Sequence, residues 1–167
     1  MHKETVKELK IYFSVLFYII IFNAIMISST IVFHELGHFV IGSSISCQGM
    51  QIVLLDQSFN TYTKMNCPPE IPDYFIYALM LGGFLIVAPF AFLLSLFKGY
   101  ERHYSLIVIG FNSLISSSDL SIFPKIYSYL FMIFGVIVVM YGEALLISRY
   151  LLFVERMRVM ILSYSNK

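Results

Sequence analysis

Charged residues are scarce in this sequence. Lys, Arg, Asp and Glu together make up 13% of its residues, whereas a soluble domain carries roughly 25%. Hydrophobic residues make up 59%, and they include 16 Phe and 12 Tyr. This balance excludes a water-facing surface over most of the chain and predicts a protein embedded in a lipid bilayer. The net charge of +1 also gives no indication of a nucleic-acid partner.

Cysteine is equally scarce. Cys47 and Cys67 are the only two, which excludes a disulfide-rich scaffold, and their wide separation does not match a cysteine metal site. They would pair if their segment faced an oxidising compartment. The simpler prediction is two free thiols.

Long apolar runs, by contrast, are abundant. They predict four transmembrane helices, at residues 11–42, 74–97, 104–122 and 126–148. The first contains an uncharged run, residues 11–33, which is about 35 Å long as a helix and therefore long enough to cross the hydrocarbon core. This run is too long for a signal-peptide core, and no small-residue cleavage site follows it, so we expect it to be retained. The predicted fold is a single all-α polytopic membrane domain over residues 1–167.

Two segments interrupt the helical pattern. Residues 43–73 are polar and contain CPPEIP, which cannot be helical throughout, and the apolar stretch MQIVLLDQ within them predicts a β-strand or hairpin. The third span contains NSLISSSDLSIFP, and a run of Ser with an Asp is costly in lipid unless it faces protein or a wet cavity. We therefore expect the third span to be broken. In the second span, Gly82 and Gly83 predict a close approach between helices.

The distribution of positive charge predicts the orientation in the membrane. With four spans, both termini lie on one side, together with the connection at residues 98–103. That side carries nine Lys and Arg residues: Lys3, Lys7, Lys10, Lys98, Arg102, Arg149, Arg156, Arg158 and Lys167. The other side carries Lys64 and Lys125. Because positive residues concentrate on the cytoplasmic side, cytoplasmic termini are predicted.

The strongest functional signal is the run His34-Glu35-Leu36-Gly37-His38. Residues four apart lie on one face of a helix, so both imidazoles can bind one metal ion. Glu35 points about 100° away from His34 around the helix axis, near enough to take a proton from a water molecule at the metal without being a ligand. This is the arrangement of zinc metalloproteases. A chain of this composition would contain the pattern by chance roughly 0.004 times.

Catalytic zinc usually has three protein ligands, so a third ligand must come from elsewhere in the chain. Asp119 and Glu143 are carboxylates inside predicted spans, where a lone charge is costly. We predict Asp119, because its segment also breaks the helical pattern, and Glu143 remains the alternative. The other candidates lie in polar or terminal segments where water would solvate them: His2, Asp56, Asp73 and His103.

These motifs resemble those of the site-2 protease family of intramembrane zinc metalloproteases. The family's first motif, His-Glu-x-Gly-His, is matched in full at residues 34–38. Its later motif, approximately Asn-x-x-Pro followed by Leu-Asp-Gly, is matched loosely by Asn112 and Asp119. Ile115 stands where the family has Pro, and Leu120 replaces the family's Gly. A strand-like segment after the first motif and a Gly-Gly pair in the next span also fit this family.

The resemblance implies a three-helix catalytic core that cuts a peptide bond in or beside the transmembrane segment of another membrane protein. It implies that His34, His38 and Asp119 bind one Zn²⁺ ion. Glu35 would be the general base and then the acid, and Asn112 would hold the substrate or the developing oxyanion. The strand-like segment would pair with an unwound substrate strand. The resemblance also implies that this segment is cytoplasmic, which is opposite to the orientation predicted from charge.

Three other functions fit parts of the sequence. A membrane zinc protease outside this family would use Glu143 as its third ligand. A non-catalytic metal-binding module, or a protease relative that has lost activity, would keep the two histidines but would not require Glu35. A structural helical membrane protein would contain the motif fortuitously.

Overall fold

The computed structural model describes residues 2–54, 56–57, 60–99, 101–120 and 123–165. In chain order, the elements of these residues are α1 (His2–Ser44), β1 (Gln48–Val53), β2 (Tyr62–Asn66), α2 (Asp73–Met80), α3 (Gly82–Ser95), α4 (Glu101–Asp119) and α5 (Lys125–Ser165). The predicted helical architecture with a small β insertion after the first helix is confirmed. Residues 121–122, which end the predicted third span, lie outside the described residues.

Two helices are long and apolar enough to cross a membrane. They are the 36-residue segment Leu9–Ser44 of α1 and the 33-residue segment Lys125–Met157 of α5. Large apolar side chains on these helices point outward, and Phe17 and Met140 are 65% and 67% exposed. Apolar surface on this scale is stable against lipid rather than against water. The helices therefore fit the predicted location in a bilayer.

The second predicted span is the one that is broken. α2 and α3 meet at Leu81 with a bend of 47°, and together they would form a third membrane-crossing segment. Within the described residues, α4 is not among the segments that are long and apolar enough to cross. Length and composition thus support two or three spans, and the fourth stays a prediction.

α4 is a continuous helix from Glu101 to Asp119, so the break predicted for the third span is not present within these residues. Three serine hydroxyls in its C-terminal half donate hydrogen bonds to carbonyl oxygens of the preceding turn, Ser113 to Ile109, Ser117 to Leu114 and Ser118 to Ile115. Serines bonded in this way satisfy their own hydroxyls without interrupting the helix. α4 also packs against α1, α3 and α5, and its polar residues Asn112, Ser113 and Ser116 are buried.

Two apolar clusters and one pair of glycines fix α4 in this central position. The first cluster joins α1, α4 and α5 and consists of Ile19, Tyr104, Ile107, Leu146 and Tyr150. The second joins α3 and α4 and consists of Val87, Ala91, Leu94 and Val108. Gly110 and Gly135 let α4 and α5 approach closely, because a Cβ atom on Gly110 would lie 2.7 Å from the backbone nitrogen of Val139.

β1 and β2 form an antiparallel hairpin directly after α1. α1 ends in a Schellman motif in which Ser46 has a positive φ of 64°. The N–H of Ser46 bonds to the carbonyl of Ser43, and the N–H of Cys47 bonds to the carbonyl of Gly42. The strand or hairpin predicted in this region is confirmed, although β1 begins two residues earlier than the predicted strand and ends at Val53.

A disulfide bond between Cys47 and Cys67 closes the hairpin. The prediction of two free thiols is therefore wrong. The reason is three-dimensional: Gln48 pairs with Asn66 just inside the two cysteines, which brings their Cα atoms to 4.1 Å although they are 20 residues apart in sequence.

Candidate metal centre

Three potential metal ligands converge where the end of α1 meets the end of α4. The Nε2 atoms of His34 and His38 are 3.1 Å apart. Oδ2 of Asp119 lies 2.9 Å from Nε2 of His34 and 3.3 Å from Nε2 of His38. Within the described residues, these three side chains form a group that could hold a metal ion. The structure thus brings together the three residues that the sequence predicted as ligands.

The spacing of these atoms fits a small divalent cation. For metal–ligand distances of about 2.0–2.1 Å, tetrahedral coordination separates the ligand atoms by roughly 3.3–3.4 Å. The observed separations of 2.9, 3.1 and 3.3 Å need to open by only a few tenths of an ångström. Three protein ligands of nitrogen and oxygen with one position left open are typical of catalytic zinc.

Hydrogen bonds to Nδ1 orient both imidazole rings. Nδ1 of His34 donates to Oδ1 of Asn112 at 2.9 Å, and Nδ1 of His38 donates to the carbonyl oxygen of Leu79 at 2.7 Å. Because both partners are acceptors, a neutral ring carries its proton on Nδ1 and its lone pair on Nε2. Both lone pairs are therefore directed at the region that they share with the carboxylate of Asp119. Two lone pairs directed at the same point repel each other. A cation at that point would attract both of them.

The bend in the second span supplies one of these hydrogen bonds. α2 ends at Met80, and carbonyl groups in the last turn of a helix have no partner within that helix. Leu79 lies in this last turn, and its carbonyl accepts the hydrogen bond from His38. The break between α2 and α3 therefore exposes a backbone acceptor to a candidate metal ligand.

Small residues make room for the histidines between α1 and α3. A Cβ atom on Gly83 would overlap the ring of His34, and one on Gly37 would overlap the backbone of Gly82. Gly37 thus lets the two helix backbones touch, and Gly83 lets the ring of His34 lie against α3. The close approach that the sequence predicted from Gly82 and Gly83 is confirmed.

Asp119 occupies an electrostatically unfavourable position. It is the last residue of α4, where a carboxylate faces the negative end of the helix dipole at a cost of about 0.3–1 kcal/mol. Its side chain is 22% exposed, compared with 1% for His34 and 12% for His38. A partly buried carboxylate in this position needs nearby positive charge, which a divalent cation would provide. The exposed edges of Asp119 and His38 leave the site accessible from one side.

Glu35 is held by the hairpin. The residue is 5% exposed, and Oγ1 of Thr63 in β2 donates to its Oε2 at 2.8 Å. The same hydroxyl lies 3.0 Å from the backbone carbonyl oxygen of Glu35. Thr63 therefore fixes one carboxylate oxygen and leaves Oε1 to accept a proton.

The other predicted site residues have different surroundings. Asn112 is 1% exposed and contacts the ring of His34, and its predicted contact with substrate stays a prediction. Glu143, the alternative third ligand, accepts a hydrogen bond from Nδ2 of Asn23 at 2.6 Å and is not in the ligand group that the described residues form. His103 lies in the first turn of α4, at the opposite end of that helix from the ligands.

Three contributors to the site were not predicted from the sequence. The contact of Thr63 with Glu35 joins residues 28 positions apart and depends on how the hairpin packs against α1. The carbonyl of Leu79 could not be singled out, because nearly every residue carries the same group. The contact of Gly83 with His34 had a partial signal, since the Gly-Gly pair already indicated a close approach.

Comparisons of this chain with protein-family models, with curated proteins and with solved structures find no match. The functional conclusion therefore depends on the site itself. That site is a cluster of two His and one Asp that could hold a metal ion, in a helical protein with two or three candidate membrane spans.

Proposed function

We propose that this chain is a zinc endopeptidase that hydrolyses a peptide bond in or near the transmembrane segment of a membrane-protein substrate. The observation that carries the proposal is the convergence of the ligand atoms of His34, His38 and Asp119, no more than 3.3 Å apart, on the helix turn that also carries Glu35. Two imidazoles and one carboxylate are ligands that zinc accepts. A non-catalytic binding site does not require a carboxylate between the two histidines, so Glu35 favours an enzyme.

The reaction is a hydrolysis in which Glu35 moves the proton. A bound zinc ion would supply a Lewis acid that acidifies water and polarises a peptide carbonyl. Oε1 of Glu35 takes a proton from water while the water oxygen forms a bond to the carbonyl carbon of the scissile peptide. Thr63 holds Oε2 of the same carboxylate in place during this step. When the C–N bond breaks, Glu35 gives the proton to the departing nitrogen and is again a carboxylate.

The membrane arrangement is part of the same proposal. α1, the bent pair α2–α3, α4 and α5 form four spans, and α4 crosses the bilayer packed against the other helices, which shelter Ser105, Ser113 and Ser116 from lipid.

Both termini are cytoplasmic, and the hairpin is on the other side. The positive-residue count supports this orientation. The Cys47–Cys67 bond supports it independently, because disulfides persist in oxidising compartments outside the cytoplasm. We favour these two arguments over the opposite orientation that the family resemblance implies.

The hairpin offers a way to bind the substrate. Within the described residues, β1 pairs with β2 alone, so the other edge of β1 carries unpaired backbone groups. An extended peptide can add to such an edge, and a helical substrate must unwind before its scissile carbonyl is accessible. Thr63 of β2 contacts Glu35, and a peptide strand added to β1 would lie two strand spacings from β2, roughly 10 Å, in the same sheet as this contact.

The variant Glu35→Gln tests the proposal. We expect it to keep about one zinc ion per chain and to lose cleavage, because an amide cannot take the proton from water. The measurements are the metal content of detergent-purified protein and the cleavage of a fluorogenic transmembrane peptide reporter. Glu70→Gln is the matched control, since Glu70 is exposed in the polar segment before α2, and it should cleave at the wild-type rate.

The same measurements assign the third ligand. Asp119→Ala should empty the site, whereas Glu143→Ala should keep its zinc, because Glu143 contacts Asn23. A wild-type chain that binds no zinc, or a Glu35→Gln variant that cleaves at the wild-type rate, would contradict the proposed function.

A further inference from the structure

A second polar feature lies far from the metal centre. A cavity of about 820 Å³ opens between the loop after α3, the first turns of α4 and the middle of α5. Arg102 lines this cavity, and the segment of α4 between Arg102 and Asp119 is roughly 25 Å long at 1.5 Å per residue. The cavity is therefore separate from the proposed catalytic site.

Part of the cavity lining, called here the basic wall, is cationic. Its four permanently charged side chains are exposed, and they are Lys98, Arg102, Arg149 and Arg156. The ion pairs among the described side chains involve none of these four. Burial lowers the pKa of His103, which lines the same cavity, and the charges of Arg149 and Arg102 lower it further. Four unpaired cations around one cavity repel each other, so this basic cavity favours an anionic ligand.

Most of the remaining lining, called here the apolar wall, is apolar. It consists of Leu96, Phe97, Leu106, Tyr141, Leu145, Leu152 and Phe153. Tyr141, Leu145 and Arg149 are spaced four residues apart, so they lie on one face of α5, with the two apolar residues on the side of the predicted membrane interior. A ligand with an anionic head and a hydrocarbon chain matches both walls.

We propose that the basic cavity binds the phosphate headgroup of an anionic glycerophospholipid, with an acyl chain along its apolar wall. A soluble phosphate compound shares the headgroup chemistry but leaves the apolar wall without a ligand. Basic cavities between membrane helices on the cytoplasmic side suit such headgroups, and anionic lipids are enriched in that leaflet. The bound lipid would contact both the α3–α4 loop and α5 and would therefore hold the loop against this helix. The proposal does not depend on the peptidase activity.

Native mass spectrometry of the purified full chain tests this proposal. The chain is incubated with phosphatidylglycerol or phosphatidylcholine, and in separate arms with glycerol 3-phosphate or inorganic phosphate. We expect at least about tenfold better retention of phosphatidylglycerol than of phosphatidylcholine, because several cations contribute to binding. The double variant Arg102→Gln/Arg149→Gln should lose this preference.

The matched control is the double variant Lys64→Gln/Lys125→Gln, which removes two positive charges outside the basic cavity and should keep the preference. An equal loss in both double variants, or no preference in the wild type, would overturn the proposal. Binding of inorganic phosphate or glycerol 3-phosphate as tight as that of phosphatidylglycerol would also overturn it and identify a soluble ligand. If Arg102→Gln/Arg149→Gln does not fold, Lys98→Gln/Arg156→Gln takes its place, since both of these side chains are exposed.

Discussion

His34 is positioned by two neighbouring helices. Its Nδ1 donates to Asn112 of α4, and its ring lies against Gly83 of α3, so that its Nε2 is directed at Asp119. In metal sites, a hydrogen bond at the nitrogen that does not bind the metal fixes the tautomer and raises the basicity of the ligand. Asn112 is therefore expected to affect metal affinity by orienting His34, without contacting the metal itself.

We predict that Asn112→Leu lowers zinc affinity about 10- to 100-fold, which is the usual effect of losing such an orienting partner. Asn112→Asp keeps an acceptor oxygen at this position and should stay within a few-fold of the wild type. Both affinities can be measured by competition with a chromophoric zinc chelator in detergent.

Asn23→Leu is the control for this prediction, because Asn23 contacts Glu143 and not the histidines, and its zinc affinity should not change. If Asn112→Leu instead bound zinc like the wild type and lost cleavage, Asn112 would have the substrate contact that the family resemblance implies.

The individual residues of the site differ in how far the sequence could identify them. His34, Glu35 and His38 follow from local helix geometry, since a spacing of four residues places two side chains on one face. Asp119 and Glu143 were candidates for the same reason, the cost of a carboxylate in a membrane span. The tertiary structure distinguishes the two carboxylates. The carboxylate of Asp119 contacts both imidazoles, whereas the carboxylate of Glu143 accepts a hydrogen bond from the amide of Asn23.

At the level of elements, the site depends on the contact between α1 and α3. The ring of His34 occupies the space that a side chain at position 83 would need, and the backbones touch at Gly37 and Gly82. Core backbones this close cannot accommodate an added methyl group without moving apart. The spacing of these two helices therefore controls the position of His34, a candidate metal ligand.

We predict that Gly83→Ala loses zinc and lowers the melting temperature by several degrees, because overpacking of this kind costs about 1–3 kcal/mol. Thermal unfolding in detergent followed by circular dichroism, together with metal analysis, checks the prediction. Gly42→Ala is the matched control, since its Cβ would meet the sulfur atoms of Met65 and Met50 at 3.0 and 3.1 Å and flexible side chains can move away. Equal stability and zinc content in Gly83→Ala and the wild type would contradict the prediction.

Within the described residues, the clear break inside a predicted span lies in the second span, whereas the third is continuous from Glu101 to Asp119. The serines of α4 suggested an interruption, but the hydroxyls of Ser113, Ser117 and Ser118 bond within the helix, and Ser113 is also fully buried. The break lies instead at Leu81, where apolar residues continue on both sides and the sequence has no strong breaker apart from the glycines that follow. The bend there allows the Leu79 carbonyl to accept from His38, a contact between residues 41 positions apart.

For the whole molecule, the disulfide bond and the charge distribution agree on one orientation. In the proposed orientation, the hairpin with its Cys47–Cys67 bond faces an oxidising compartment, and the side with most Lys and Arg residues is cytoplasmic. The candidate metal ligands lie near the hairpin, because Thr63 contacts Glu35. The proposed catalytic site and the basic cavity would thus lie toward opposite faces of the membrane.

We predict that, in intact cells, a membrane-impermeant maleimide labels Cys47 and Cys67 only after reduction of the disulfide bond. Lys98→Cys in a chain with Cys47→Ser and Cys67→Ser should be labelled only after lysis, because residue 98 lies on the predicted cytoplasmic side. Gel-shift analysis of the labelled protein gives the readout. Labelling of the Lys98→Cys chain in intact cells, with protection of the hairpin cysteines even after reduction, would reverse the orientation.

The sequence by itself determined the helical membrane class and the candidate metal-binding turn of α1, because these depend on composition and on residues within one helix. Only the tertiary structure decided which carboxylate joins His34 and His38, that the two cysteines are bonded, and which groups orient the imidazoles. Each of these outcomes depends on contacts between distant parts of the chain, from 20 positions for the disulfide to 85 positions for His34 and Asp119. Local patterns do not encode such contacts, which arise when the helices and the hairpin pack together.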